Sequence, residues 1–253
     1  MVNHMSSIGF EADTQEEFQR AAEYAYEHGQ RIETPKGAYI RLEAGGGAEL
    51  WLQLDREQSV VGLNPHFGGA SATTVNLTAE IAREGESELD GSFHGWANPQ
   101  TDLPEDGMFP FVFDVPDRDL HGEFVLPAHR KVQLAAFAHE LDIYDNEEAF
   151  ARKQEEESPD QIKFAPESFM PTGLFGDEGA EPRAEALFAG KVLRGGWIRN
   201  DASGQFFYWM LVQTLGCEID VVADKRLVGE REVPEGAIVQ GTFWLSGRLL
   251  EHE

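Results

Sequence analysis

Cysteine is nearly missing from this chain: Cys217 is the single one in 253 residues. A lone thiol excludes an internal disulfide and any zinc centre built on cysteines. It follows Leu215-Gly216 and precedes Glu218-Ile219-Asp220, with no adjacent base or helix start to activate it, so it reads as a small buried hydrophobe. Positive charge is scarce as well. Twenty Lys and Arg stand against 46 Asp and Glu, a formal net charge of −26. Such a surface repels nucleic acid and anionic lipid, whose affinity for proteins comes mostly from neutralised phosphates. No apolar run approaches the roughly 18 residues of a membrane-spanning helix, and the first residues lack the basic and apolar parts of a signal peptide. Gly-x-Ser-x-Gly, the phosphate loop and the dinucleotide fingerprint are all missing, which leaves nucleophilic and nucleotide chemistry without a motif. These lacks predict an acidic, cytoplasmic protein without a membrane role.

What is present is a folded, β-rich pattern: hydrophobic residues make up 41% of the chain, with 17 Phe and 5 Trp to fill a core. Residues 1–5 read as a start-site extension, so His4 carries no weight as a ligand. Ile8 and Phe10 suggest a first strand over Ser6 to Ala12. Thr14 and Glu17 form a capping box, and Phe18, Ala21, Ala22 and Ala25 share one helical face up to Gly29, placed as a left-handed helix end. Gly37 to Glu43 and Ala48 to Leu54 alternate around Gly45-Gly46-Gly47, a hairpin, and a shorter strand follows at Ser59 to Leu63. Asn64 to Gly69 reads as a glycine-rich turn that exposes His66.

The order strand–helix–strand–strand–strand over residues 6–63, with the stretch Gly47 to Leu52, resembles one module of the vicinal-oxygen-chelate (glyoxalase-like) fold. That resemblance covers about a quarter of the chain and implies a divalent metal held by His and Glu side chains. Glu49 is the residue it carries over, and His66 is the histidine best placed to join it. No other cofactor is specified.

Further on, Thr73 to Ile81, Glu88 to Trp96, Phe109 to Val115, Gly122 to Leu126 and Lys131 to Ile143 read as strands, the last one central. Asp145 to Glu148 opens a short acidic helix that ends before Ser158-Pro159. Residues 158–184, rich in Pro and Gly yet holding Phe164, Phe169, Leu174 and Phe175, read as an ordered connector with a mobile Asp177-Glu178 tip. The segment 185–250 then predicts a small antiparallel barrel of the oligonucleotide/oligosaccharide-binding type, bent at Gly190, Gly195 and Gly196. The fold class is α+β, mostly β: a βαβββ unit over 6–70, a β-rich middle over 71–157, the connector, and the barrel. Gly91-Ser92-Phe93 and Gly241-Thr242-Phe243 echo each other weakly.

Between Lys191 and Arg248 seven basic residues balance seven acidic ones, a neutral island in an acidic protein. Its aromatic and basic residues, Trp197, Arg199, Tyr208, Trp209, Trp244 and Arg248, form the candidate binding surface. The function expected is a non-catalytic binding or accessory protein with a protein partner. A glyoxalase-like metal enzyme using His66 and Glu49 is the first alternative. Single-stranded nucleic-acid binding through the barrel is the second, disfavoured by charge.

Overall fold

The structure, a computed structural model, describes residues 2–101, 103–157, 163–176 and 179–250. It is mostly β. The chain does not open on a strand: Ser6–Ile8 is one 3-10 turn, ended by Gly9 at φ 81°. Ile8 and Phe10 are buried, but so short a run has no period to separate strand from turn. The residues before it pack too, with Met5 buried and the His4 ring stacked 4.2 Å from Trp244. Helix α1 (Gln15–His28) begins where Thr14 and Glu17 exchange side-chain-to-backbone hydrogen bonds. Ala21 and Ala25 face the core, while Phe18 stays 42% exposed. Gly29 is extended, at φ −79°, not left-handed. Glycine is needed there for close approach, since a Cβ would lie 2.6 Å from Ile40.

Four strands follow as an antiparallel meander: β1 (Gln30–Thr34), β2 (Gly37–Glu43), β3 (Ala48–Leu54) and β4 (Val60–Phe67). The β2–β3 turn needs its glycines, because Gly45, Gly46 and Gly47 all sit at positive φ (81°, 59° and 91°). With no strand among the described residues ahead of α1, the leading element of a glyoxalase-like module is missing there. The expected turn at Asn64 to Gly69 is strand as far as Phe67, because Pro65 and His66 pair with Leu50 and Glu49. Pro65 is tolerated there because β4 is an edge of its sheet. All of β3 is buried, so this sheet is covered on both faces. Leu50, Leu52 and Leu54 join α1 in an apolar core. Glu49, Trp51 and Gln53 point the other way by alternation, into a polar layer.

The second sheet holds nine strands. They begin with β5 (Thr73–Ile81), β6 (Ser92–Ala97), β7 (Pro110–Asp114) and β8 (Ala128–Tyr144). Gly122 to Leu126 forms no strand. Asn146, not Asp145, caps α2 (Glu147–Glu157), accepting from the Ala149 N–H. The connector contributes β9 (Ser168–Met170), and its Ser158-Pro159 boundary and Asp177-Glu178 tip lie outside the described residues. β10 (Glu185–Arg199), β11 (Phe206–Thr214), β12 (Cys217–Asp224), the short α3 (Lys225–Val228) and β13 (Ile238–Leu249) complete the chain.

Pairing in this sheet closes on itself twice. β10, β11, β12, β8 and β13 form one ring of hydrogen-bonded neighbours. β5, β6, β7, β13 and β8 form the other. The antiparallel β8–β13 pair belongs to both. Replacing β5, β6, β7, β8 by β10, β11, β12, β13 turns one ring into the other, with its single parallel contact in the matching place. Among the described residues, the four C-terminal strands are therefore closed only by β8, from the middle of the chain. Val132 to Ala138 of β8 are all buried, as a strand shared by two layers requires. The Gly-Ser/Thr-Phe echo does not mark this correspondence: by pairing, β6 matches β11, and β13 matches β8.

Candidate binding surface and the buried polar seam

The edge strand β4 lays His66 against the shared β8–β13 pair. His66 is fully buried. Its Nδ1 lies 2.8 Å from Ser246 Oγ on β13, and its Nε2 lies 3.1 Å from Gln133 Oε1 on β8. The protons in this chain follow from its far end. Asp220 on β12 accepts four N–H groups: Gln133 Nε2 (2.9 Å), Trp209 Nε1 (2.8 Å), and the Ala70 and Ser71 amides (3.0 and 2.8 Å). With the Gln133 amide nitrogen turned to Asp220, its oxygen faces His66, so His66 donates from Nε2 and accepts at Nδ1 from the Ser246 hydroxyl. Burial, reinforced by the Arg248 charge, lowers the His66 pKa to about 4, so the ring is neutral near pH 7. Gly68-Gly69 permits the turn against Asp220, since a Cβ on Gly69 would lie 2.1 Å from the Asp220 carboxyl carbon.

Glu49 sits directly across the β3–β4 ladder from His66, so the two candidate metal ligands are neighbours. Their polar atoms are engaged elsewhere. Arg41 donates to Glu49 at 2.6 Å, Trp51 Nε1 donates at 2.9 Å, and Arg248 adds a second ion pair. Burial opposes the charge on Glu49, but the bonds from Arg41 and Arg248 outweigh it and hold the carboxyl at about 2. Both guanidinium groups lie over the Trp51 ring, at 5.5 and 5.9 Å from its centre. Among the described residues, no three His, Cys, Asp or Glu side chains converge as metal ligands.

The six residues of the candidate binding surface fall into separate places. Arg248 belongs to the Glu49 cluster. Trp244 is half-buried, donating to Asp114 at 2.6 Å beneath His4. Tyr208 is buried, its hydroxyl accepting from the Val233 amide at 2.9 Å. Trp209 is half-buried and tied to Asp220. Trp197 and Arg199 remain on the outward half of β10, Trp197 edge-on to Tyr208 at 4.9 Å. The structure adds Leu193, Arg194 and Phe206, exposed on the same strand pair. β13 leaves β10 after Lys191, and Val192 is the last residue bonded on that side. Among the described residues, 193–199 then pair only with β11, across a bulge at Leu193. Neither Arg194 nor Arg199 forms an ion pair with the described residues, while Arg194 covers the Trp209 ring at 5.6 Å. The local sequence signalled the aromatics and arginines; which strand edge stays unpaired depends on β8, distant in sequence.

Sequence reasoning also missed a cavity of about 190 Å³ where β4, β6, β7 and β13 meet, walled by Asn64, Asp90, Ser92, Asp114, Trp244 and Ser246. Its residues are spread over some 180 positions, and no spacing along the chain announces them. Cys217 is buried, which pushes its thiol up to about 12, as an inert structural cysteine requires. No helix among the described residues is long and apolar enough to cross a membrane. No protein-family model matches the chain, and no curated protein or solved structure matches it either.

Proposed function

We propose that this is a cytoplasmic, non-catalytic binding protein, whose partner is a protein presenting an acidic, extended segment to the outward half of β10. The carrying observation is the open strand edge at 193–199, flanked by Arg194 and Arg199, which lack ion pairs among the described residues of a chain bearing 46 acidic residues. A free edge offers backbone donors and acceptors to an added strand, and alternation sets the two arginines on opposite faces of it. At physiological salt the screening length is about 8 Å, so these nearby charges outweigh the distant acidic surface. Exposed Leu193 and Phe206, with half-buried Trp197, supply apolar contact. In this reading the closed ring of strands is a small barrel of the oligonucleotide/oligosaccharide-binding type, used here for a protein.

The Ser246–His66 pair has no solvent-exposed surface and so offers no nucleophile to a substrate, which supports a non-catalytic role. The test is affinity capture from a lysate at native salt, with wild type and the Arg194→Glu/Arg199→Glu double variant as parallel baits. A protein held by wild type and lost by the variant supports the reading. Equal capture by both, or capture by neither, overturns it.

A further inference from the structure

The cavity at the seam has an unusual balance of hydrogen-bonding groups. Its side-chain donors are engaged by acceptors of its own walls and of His66. Ser92 Oγ and Trp244 Nε1 donate to Asp114, at 2.7 and 2.6 Å. Asn64 Nδ2 donates to Asp90 at 2.9 Å. The Ser246 hydroxyl is turned into His66 by the chain that starts at Asp220, as derived above. Arg83, ion-paired with Asp114, uses Nε on Pro182 O, Nη1 on Glu86 and Nη2 on Asp114. The lining thus keeps acceptors: further lone pairs on Asp90 and Asp114, the Asn64 side-chain carbonyl, and the hydroxyl oxygen of Ser92. Glu86 stands at the rim. An acceptor-lined site pairs with a ligand that donates.

Size narrows the choice. About 190 Å³ is below the roughly 300 Å³ at which sites for drug-sized molecules begin, so a nucleotide is too large. The acids are also held in place: Asp114 takes three donors and Asp90 takes Gln53, Asn64 and the Ser87 amide. Carboxylates fixed this way keep their geometry without a bound ion, which is preorganisation. We propose that this cavity is a binding site for a small primary ammonium ion, held by Asp90 and Asp114 and by the lone pairs of Ser92. The site is independent of the β10 edge, and neither proposal needs the other.

The test is a titration of the full chain with methylammonium chloride, and with tetramethylammonium chloride at equal chloride as the control. Both ions carry one positive charge, but only the first donates N–H bonds. The readout is the Trp244 indole N–H resonance, assigned by its loss in Trp244→Phe. The expected result is a saturable shift with methylammonium, none with tetramethylammonium, and affinity at least tenfold weaker in Asp90→Asn. Glu86→Gln, at the rim, weakens binding about twofold and serves if Asp90→Asn does not fold. No saturable shift, an equal response to both ions, or unchanged affinity in the folded variant overturns the proposal.

Discussion

Ser246 and His66, 180 positions apart, share a 2.8 Å hydrogen bond with no solvent-exposed surface on either residue. That bond joins the four-stranded sheet to the strand pair common to both rings. Through Gln133 it reaches Asp220, so one proton arrangement spans β4, β13, β8 and β12. Ser246→Ala leaves His66 Nδ1 buried without a donor. It is expected to cost about 1–3 kcal/mol in denaturant unfolding at pH 7, and Ser246→Thr, which keeps the hydroxyl, to cost less than Ser246→Ala. An unfolding midpoint unchanged in Ser246→Ala would show that the bond is not formed.

Acid sensitivity follows from the same histidine. His66 is held neutral, with its pKa near 4 in place of 6.5, and His4 is lowered to about 4 by burial and by His139 beside it. As pH falls below about 6.5, the unfolded chain takes up protons that the folded chain refuses. Stability contributed by the neutral rings is therefore present above pH 6.5 and lost progressively down to about pH 4. For His66 the loss is on the order of 3 kcal/mol. Unfolding free energy measured from pH 7 to pH 4.5 in wild type and His66→Gln checks this: the variant should show the shallower slope.

Gly69 carries a steric prediction. A methyl group there would collide with the Asp220 carboxyl, which four N–H donors hold in place. Gly69→Ala is expected to destabilise the protein by about 2–4 kcal/mol, as displacement of a buried polar network does. Gly85→Ala, where a Cβ meets nothing within 4 Å, tests the backbone effect of a positive φ (85°) alone and should lose less.

Asp220→Asn distinguishes an acceptor from a mere space-filler. An amide offers one oxygen in place of two, so two of the four N–H groups lose their acceptor. A loss of about 2–4 kcal/mol is expected by thermal or denaturant unfolding. An isosteric change with no effect would mean the four bonds contribute nothing.

Local features were legible in the sequence. Thr14 and Glu17 mark a helix start whose partners lie within one turn, and Gly45 to Gly47 mark a hairpin whose strands are adjacent. Lys131 to Ile143 was readable as a central strand from its apolar density. The first strand failed because Ile8 and Phe10 are too few to show a period. Gly122 to Leu126 failed because apolar content alone does not supply a ladder partner. What no local pattern carried was the exchange of β8 and β13 between rings, since pairing between residues roughly a hundred positions apart leaves no spacing to read. The site shared that fate. The glyoxalase-like resemblance points to Glu49 and the glycines after it to His66, and the two lie side by side, but their partners Arg41, Arg248, Ser246 and Gln133 come from strands that only the fold brings there.

The most direct test of the binding role is hydrogen–deuterium exchange of the full chain, alone and saturated with the protein captured by the wild-type bait. Slowed exchange is expected at backbone amides within 193–199, with β4 and the β8–β13 pair unchanged. Protection confined to another face, with 193–199 exchanging as in the free chain, would contradict that role.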